Sequence, residues 1–451
     1  MSRFHFPVKE QPQHVLDLNL PPNMSCTLLR KRNIAIKEMP LPILQPDGVL
    51  VKVIATGICG SDMHNFLAGG VGGRPPAKNL VMGHESSGEV IAIGELVTTH
   101  KVGDRVAIEP GLPCRRCVNC KNGRVNICLE MKYCGAPGSV GSLARFHALP
   151  ADMAPKIPDN VSWEEAGSIQ PLAVGVQIGK RADIRPHQTI AIFGCGPIGL
   201  ITAAVSHAYS ASKIIAFDHN PERVAFAKKY ISPLTGKPII DHVFLTEPLP
   251  TTPPTGAAQL NGHAHGNGNG HAHANGDADG DGDSLSERIG ENGSGAGIGD
   301  GEFPPDDDRH IPIGDHKWEW AKLRAGSYLK QAGMSGEDGV DRVIEATGAE
   351  DCMMMGIAMA KQGATYLAVG LSHQQSHWFP TLAVTNKEID VRGITRYTSS
   401  CFPSALEMLS RGTVDLKSLI TIAFPLSQSQ QAFEAVASGK QMKVIIKNQE
   451  V

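Results

Sequence analysis

Apolar residues along this chain follow two patterns that meet near residue 171. From residue 25 they form short runs over 26–29, 34–38 and 48–56, separated by Pro, Asp and Gly. Runs of that length bounded by turn formers predict strands. Two more follow over 87–93 and 104–109, so a β-rich domain is expected over 25–172. Beyond it, strand-like runs alternate with helical ones. Residues 189–194 (T-I-A-I-F-G) read as a buried strand, an apolar helix continues to Tyr209, and 213–218 (K-I-I-A-F-D) read as the next strand. Similar units over 242–245, 339–348, 364–370 and 388–394 bring the expected total to about six mostly parallel strands, an α/β arrangement over 173–390. A helical stretch over 405–411 and a strand-like 443–447 end the pattern, and that last strand is expected to return to the β-rich domain, making 391–451 a return segment. Residues 1–24 are Pro-rich and weakly patterned, an extension expected to hold little structure.

The wound pattern breaks once, over 247–316, where N-G-H-A-H-G-N-G-N-G-H-A-H-A-N-G-D-A-D-G-D-G-D offers almost nothing aliphatic. Such composition cannot offset chain entropy, and a disordered surface insertion is expected. Asp277, Asp279, Asp281 and Gly282 resemble the start of a calcium loop, but the twelfth position is Arg288 and the acid is Glu287, so the EF-hand reading fails. His263, His265, His271 and His273 read as part of a solvated spacer.

At 451 residues there is room for two domains, and 41% apolar with 19% charged residues fits a globular protein. No apolar run reaches the ~18 residues of a membrane span. The first 23 residues lack the apolar core of a secretory signal, and the ending N-Q-E-V matches no retention or peroxisomal address. A cytoplasmic protein is expected. The net charge of −3 hides a division: the insertion carries 13 acidic and 2 basic residues, a balance of −11, which leaves +8 on the rest. That suits an anionic cofactor or substrate and is too diffuse for nucleic acid. Ten cysteines in a chain this long point to metal or catalysis rather than a disulfide framework.

Three constellations carry chemistry. The first runs from G-I-C-G-S-D at 57–62 to G-H-E at 83–85, offering a thiolate at Cys59, an imidazole at His84 and a carboxylate at Glu85. A catalytic zinc takes about three such ligands and keeps one position open. Cys114, Cys117, Cys120 and Cys128 form the second, C-x2-C-x2-C-x7-C. Four thiolates complete a closed tetrahedral site, which reads as structural zinc. An iron–sulfur cluster is the competing reading, disfavoured because no Pro follows the last Cys and no second cluster motif occurs.

The third is the turn Gly194-Cys195-Gly196-Pro197-Ile198-Gly199, between a strand and a helix, with Asp218 closing the next strand 24 residues after Gly194. This is the dinucleotide-binding arrangement: Gly194 for the turn, Gly196 for approach to pyrophosphate, Gly199 for helix–strand contact. A carboxylate at Asp218 accepts from ribose hydroxyls and repels a 2′-phosphate, so NAD is expected over NADP, with Arg223 close by.

Together these motifs resemble the zinc-dependent medium-chain alcohol dehydrogenase family and, within it, the sorbitol/xylitol (polyol) dehydrogenase branch. The likeness rests on G-H-E-x2-G-x5-G-x2-V over 83–97, V-G-D-R-V-A-I-E-P-G, P-C-R-R-C, S-L-A-R-F, G-C-G-P-I-G and D-V-R-G-I-T-R-Y over 390–397. It covers about 25–448; without the 70 residues of the insertion and the first 24, 357 remain, a length usual for the family. The resemblance implies a GroES-like catalytic domain around a Rossmann NAD domain, a cleft between them, and often a homotetramer. It implies oxidation of a secondary alcohol of a polyol to a ketone.

Carried over by position, Cys59, His84 and Glu85 hold the catalytic zinc, and Ser61 and His64 relay the alcohol proton. Arg396 and Tyr397 contact the polyol, while Ile198, Asp218, Arg223, Val369, Gly370 and Leu371 contact NAD. Two positions depart from the branch. Gln170-Pro171-Leu172 stands where relatives carry Glu-Pro-Leu, which makes the metal site more electropositive and brings in an aldose such as glucose as an alternative substrate. Asn65 replaces a Tyr that would wall the polyol. A rival of another class is a non-catalytic NAD- and metal-binding interaction protein working through its His/Asp-rich loop.

Overall fold

The fold is a computed structural model that describes residues 8–70, 78–254, 312–335, 338–372, 374 and 376–451. The chain's first half is built on the strand Gly48–Gly57, G-V-L-V-K-V-I-A-T-G, in which every residue but Lys52 and Ile54 is buried. Its β-branched side chains suit a strand covered on both faces. It pairs antiparallel with Glu85–Ile93, Phe146–Pro150 and Lys443–Lys447. The sheet runs in the order Ile420–Pro425, Lys443–Lys447, Gly48–Gly57, Glu85–Ile93, Arg105–Ile108. The expected return of the chain's last strand is found, and it brings Lys443 beside the residues after Gly57.

The second half is a six-stranded sheet in which every neighbouring pair is parallel. Its order is His242–Leu245, Lys213–Asp218, Thr189–Phe193, Val340–Glu345, Ala360–Ala368, Asp390–Gly393. Numbered along this half, that is 3-2-1-4-5-6, the doubly wound order, whose switch point lies between Thr189–Phe193 and Val340–Glu345. One face packs on the helices Ile169–Arg181, Pro197–Ala208 and Cys401–Ser410 through Val176, Ile201, Val205 and Phe402. The other packs on Ile313–Gln331 and Glu350–Met359 through Leu329, Met354 and Ile357. Burying each such side chain contributes ~1.5–3 kcal/mol. Among the described residues no helix is long and apolar enough to cross a membrane.

Two sequence expectations need correction. The extension over 1–24 is not structureless: a turn of helix, Gln13–Leu16, buries Val15 against Leu44, Leu50, Ala92 and Phe146, and the strand Asn23–Arg30 begins inside it. One apolar anchor leaves no periodic trace in sequence, so it escapes pattern reading. The edges of 247–316 are ordered too. Leu249 is buried and its N–H donates to Asp351, Trp320 donates to the Thr252 carbonyl at 2.8 Å, and Arg324 donates to the carbonyls of Glu247 and Pro248. The following helix already starts at Ile313. The His- and Asp-rich run, with the rejected calcium loop, lies outside the described residues.

Candidate active site

Cys59 lies two residues past the end of the central strand and caps the helix Gly60–Ala68 in extended conformation. Asp62, one turn in, accepts from the Cys59 N–H at 3.2 Å and the Gly83 N–H at 3.4 Å, tying that helix to the next strand. Gly83 turns with φ +91°, where a side chain would strain the backbone and strike Leu143, and it delivers His84 and Glu85 to the strand's start. Strand register then sets Glu85 directly opposite Gly57. Cysteine, imidazole and carboxylate donor atoms all lie within 4.8 Å of one another.

The surroundings fit a divalent cation. Glu85 is fully buried; one carboxylate oxygen pairs with the Lys443 ammonium, and Oε1 is buried with no partner among the described residues. Burial opposes charge on His84, but the Asp62 carboxylate, 3.6 Å from Nδ1, and the Cys59 sulfur outweigh it and raise its pKa well above 6.5. A field that favours a proton there favours a metal in its place. Asp62 itself is held low: burial raises it, and His84 with two backbone N–H groups overcomes that. Thiolate, imidazole and an orphaned carboxylate oxygen are a zinc donor set. Ser61 Oγ lies 3.3 Å from His84 Nε2.

Sequence reasoning missed Lys443 and Tyr133. Lys443 is 5% exposed, donates also to the Ile58 carbonyl at 3.2 Å, and adds a positive charge beside Glu85. A Cβ on Gly57 would come within 2.7 Å of both Glu85 and Lys443, so glycine there makes room for the pair. The Tyr133 ring lies 5.6 Å from the His84 ring, and its hydroxyl accepts from Gln170 Nε2 at 2.9 Å. The Arg396 guanidinium covers the same ring at 4.8 Å. Burial lifts the Tyr133 phenol above its usual range, so it stays protonated at neutral pH.

Of the other expected residues, Asn65 is buried on the helix Gly60–Ala68 and His64, on the same helix, is half-buried. Tyr397 is 5% exposed beside Phe402, its hydroxyl buried without a partner among the described residues. The structure thus brings Cys59, Ser61, His84, Glu85, Gln170 and Arg396 into one neighbourhood through Tyr133, and seats Tyr397 in packed core.

Sulfur atoms of Cys114, Cys117, Cys120 and Cys128 also lie within 4.8 Å of one another, and no disulfide joins them. The N–H groups of Cys114 and Cys117 donate to the sulfurs of Cys128 and Cys114, hydrogen bonds that favour thiolates, and four thiolates fit a closed zinc site. The lobe is tied to the site: Asn126 donates to the Thr395 carbonyl at 2.9 Å, and Arg396 donates to the Asn126 carbonyl at 3.2 Å.

The glycine turn sits at the switch point. A Cβ on Gly199 would lie 1.7 Å from the Gly194 carbonyl, so only glycine lets the helix Pro197–Ala208 approach that strand. Asp218, 5% exposed, accepts from the N–H groups of Cys195 at 2.7 Å and Asn220 at 2.8 Å. Arg223 reaches over Gly196, its Nε buried and without a partner among the described residues. Glu345, also unforeseen, fixes the facing loops: its side chain accepts from the N–H groups of Thr347 and Gly348, and its carbonyl from those of Val369 and Gly370. Leu371 beside them is 56% exposed.

A doubly wound sheet with an open glycine turn, joined to a β-rich half that presents a cation-ready Cys/His/Glu cluster, defines a metal-assisted, nucleotide-dependent oxidoreductase. Comparison with known proteins narrows the class. Residues 45–159 match the alcohol dehydrogenase GroES-like domain and 323–411 match the zinc-binding dehydrogenase domain. D-xylulose reductase A of Aspergillus niger is 33% identical over 425 residues, covering 94% of this chain and 96% of the relative. The protein of the same name from Aspergillus oryzae is 32% identical over the same length and coverage. The structure of L-idonate 5-dehydrogenase from Escherichia coli shares the fold with a TM-score of 0.69 at 20% identity, over 95% of this chain and 98% of its own. The chain belongs to the zinc-dependent medium-chain alcohol dehydrogenase family, in its polyol dehydrogenase branch. It is an oxidoreductase of a zinc-dependent family.

Proposed function

We propose that this enzyme oxidises a secondary hydroxyl of a polyol of the xylitol, sorbitol or arabinitol type to the ketose and works in reverse on the ketose. The observation that carries this reading is the cluster of Cys59, His84 and Glu85, with a carboxylate oxygen unpartnered among the described residues, one side chain away from the Tyr133–Gln170 pair. The D-xylulose reductases at 32–33% identity support a pentulose–pentitol couple. Bound to this chain, zinc supplies Lewis-acid stabilisation of charge on the substrate oxygen, and NAD supplies the hydride acceptor.

The chain's residues do the rest. Cys59, His84 and Glu85 hold the catalytic metal, Asp62 orients His84 from behind, and Lys443 keeps Glu85 in place. Ser61, with its hydroxyl 3.3 Å from His84, carries the alcohol proton outward together with His64. Gln170, Asn65 and Arg396 form the polyol side, and Tyr397, buried against Phe402, supports it rather than touching substrate. On the cofactor side, Gly194, Gly196, Ile198 and Gly199 receive the pyrophosphate at the helix start. Val369, Gly370 and Leu371 bound the nicotinamide end. Two backbone N–H groups fix the Asp218 carboxylate, whose charge opposes a 2′-phosphate and favours NAD, with Arg223 alongside.

Cys114, Cys117, Cys120 and Cys128 hold a second, structural zinc. The domain division that goes with this reading is 25–172 and 391–451 around 173–390. The enzyme works in the cytoplasm as a homo-oligomer, with the tetramer as the assembly. An NAD-reduction panel over xylitol, sorbitol, arabinitol, glucose and simple alcohols tests the proposal. Turnover of the polyols upholds it, preference for glucose replaces it with an aldose dehydrogenase, and no reduction with any of them refutes it.

A further inference from the structure

Tyr133 and Gln170 each use one hydrogen-bonding group on the other, at 2.9 Å. The amide has a second end and the phenol a second capacity, and neither has another partner among the described residues. With Gln170 Nε2 donating, its carbonyl oxygen remains an acceptor and the Tyr133 O–H remains a donor. With the amide turned over, the phenol donates to the carbonyl, leaving Gln170 N–H as donor and the Tyr133 lone pair as acceptor. Either way the pair presents one donor and one acceptor side by side. That is the complement of a single hydroxyl group, which gives one hydrogen bond and takes another.

The pair is rigid and correctly sited for this. Gln170 is 6% exposed on the first turn of Ile169–Arg181, and the Tyr133 ring is clamped between His84 at 5.6 Å and the Arg396 guanidinium at 4.8 Å. An oxygen reacting at the Cys59/His84/Glu85 cluster therefore has the pair beside it, one side chain away. Resting on the polyol reading above, we infer that Tyr133 is a specificity-determining residue that, with Gln170, recognises the hydroxyl on the carbon next to the one oxidised. A simple secondary alcohol places a methylene there and leaves the pair unsatisfied. Sites built to bond a hydroxyl discriminate strongly against analogues that lack it.

The test compares wild type with Tyr133→Phe, which keeps the ring under Arg396 and against His84 and removes only the hydroxyl. Substrates are xylitol, 2,3-butanediol and 2-butanol, the last two differing by one hydroxyl. Where 2-butanol does not turn over, its inhibition constant against xylitol oxidation takes the place of kcat/KM. Zinc content and NADH binding of the variant confirm a folded enzyme. The expected result is a loss of ~10–100-fold in kcat/KM for xylitol and 2,3-butanediol, with 2-butanol changed by less than ~2-fold. An equal loss on all three, or no loss on the diols, overturns the inference while leaving the polyol reading intact. A wild type inactive on every alcohol overturns the polyol reading, and this inference falls with it.

Discussion

Replacing Lys443 with Met exposes how the metal cluster is balanced. Lys443 is 5% exposed and Glu85 is fully buried, and the ammonium is the carboxylate's one partner among the described residues, since Oε1 has none. Met keeps the length of the side chain and removes the charge, so Glu85 is left as an uncompensated buried anion. Breaking a buried pair from one side costs ~3–5 kcal/mol. Loss of the hydrogen bond from Lys443 to the Ile58 carbonyl adds ~1 kcal/mol.

The cost should depend on metal. A cation held by Cys59, His84 and Glu85 neutralises the stranded carboxylate, so zinc-loaded Lys443→Met should lose much less stability than the zinc-stripped form. Urea unfolding of wild type and variant, each with and without zinc, isolates the term as a difference of differences. The expected result is a variant ~4–6 kcal/mol less stable than wild type without metal, with most of that gap closed by zinc. A zinc-stripped variant as stable as wild type, or an equal gap in both states, would refute the account of the pair.

Three further outcomes follow from the same geometry. Gly57→Ala places a Cβ within 2.7 Å of Glu85 and Lys443; overpacking should cost ~1–3 kcal/mol and weaken catalytic-zinc retention during dialysis against chelator. Burial, helped by Asp152, lifts Glu109 to about 7 from a usual 4.5. The folded state then binds more protons than the unfolded one in that window, so stability falls as pH rises through it, by ~3 kcal/mol in all, and Glu109→Gln should flatten the slope in urea melts at pH 4.5, 6 and 7.5. Cys117→Ser should drop zinc from two per chain to one and, through Asn126 and Arg396, raise polyol KM several-fold; unchanged KM would show that the lobe does not support the site.

What could be read from sequence was local in sequence. Cys59, the His84–Glu85 pair, the four-cysteine run and the turn from Gly194 to Gly199 each announce their chemistry within a few residues. The parallel α/β arrangement followed from strand runs alternating with helices, while the 3-2-1-4-5-6 order came only with the structure. What escaped was the lone residue brought in by tertiary folding. Lys443 stands 358 positions from Glu85 and Tyr133 37 from Gln170, and no spacing rule links them. Lys443 sits in a run, K-V-I-I-K, that reads as an ordinary strand opening with an exposed charge. Tyr133 lies in a two-residue strand with no pattern of its own. The edges of the insertion were misjudged for a related reason: Pro-rich 247–254 is anchored by Leu249 alone and by backbone carbonyls that accept from Trp320 and Arg324, contacts composition does not reveal.

Zinc stoichiometry joined to turnover tests the central claim most directly. Wild type should carry two zinc per chain and reduce NAD with xylitol. Cys59→Ala should keep one zinc and undiminished NADH binding, and lose polyol-dependent NAD reduction by at least ~1,000-fold. A Cys59→Ala enzyme that still holds two zinc, or still turns over xylitol at the wild-type rate, would contradict the assignment of Cys59, His84 and Glu85 as the metal centre on which the chemistry depends.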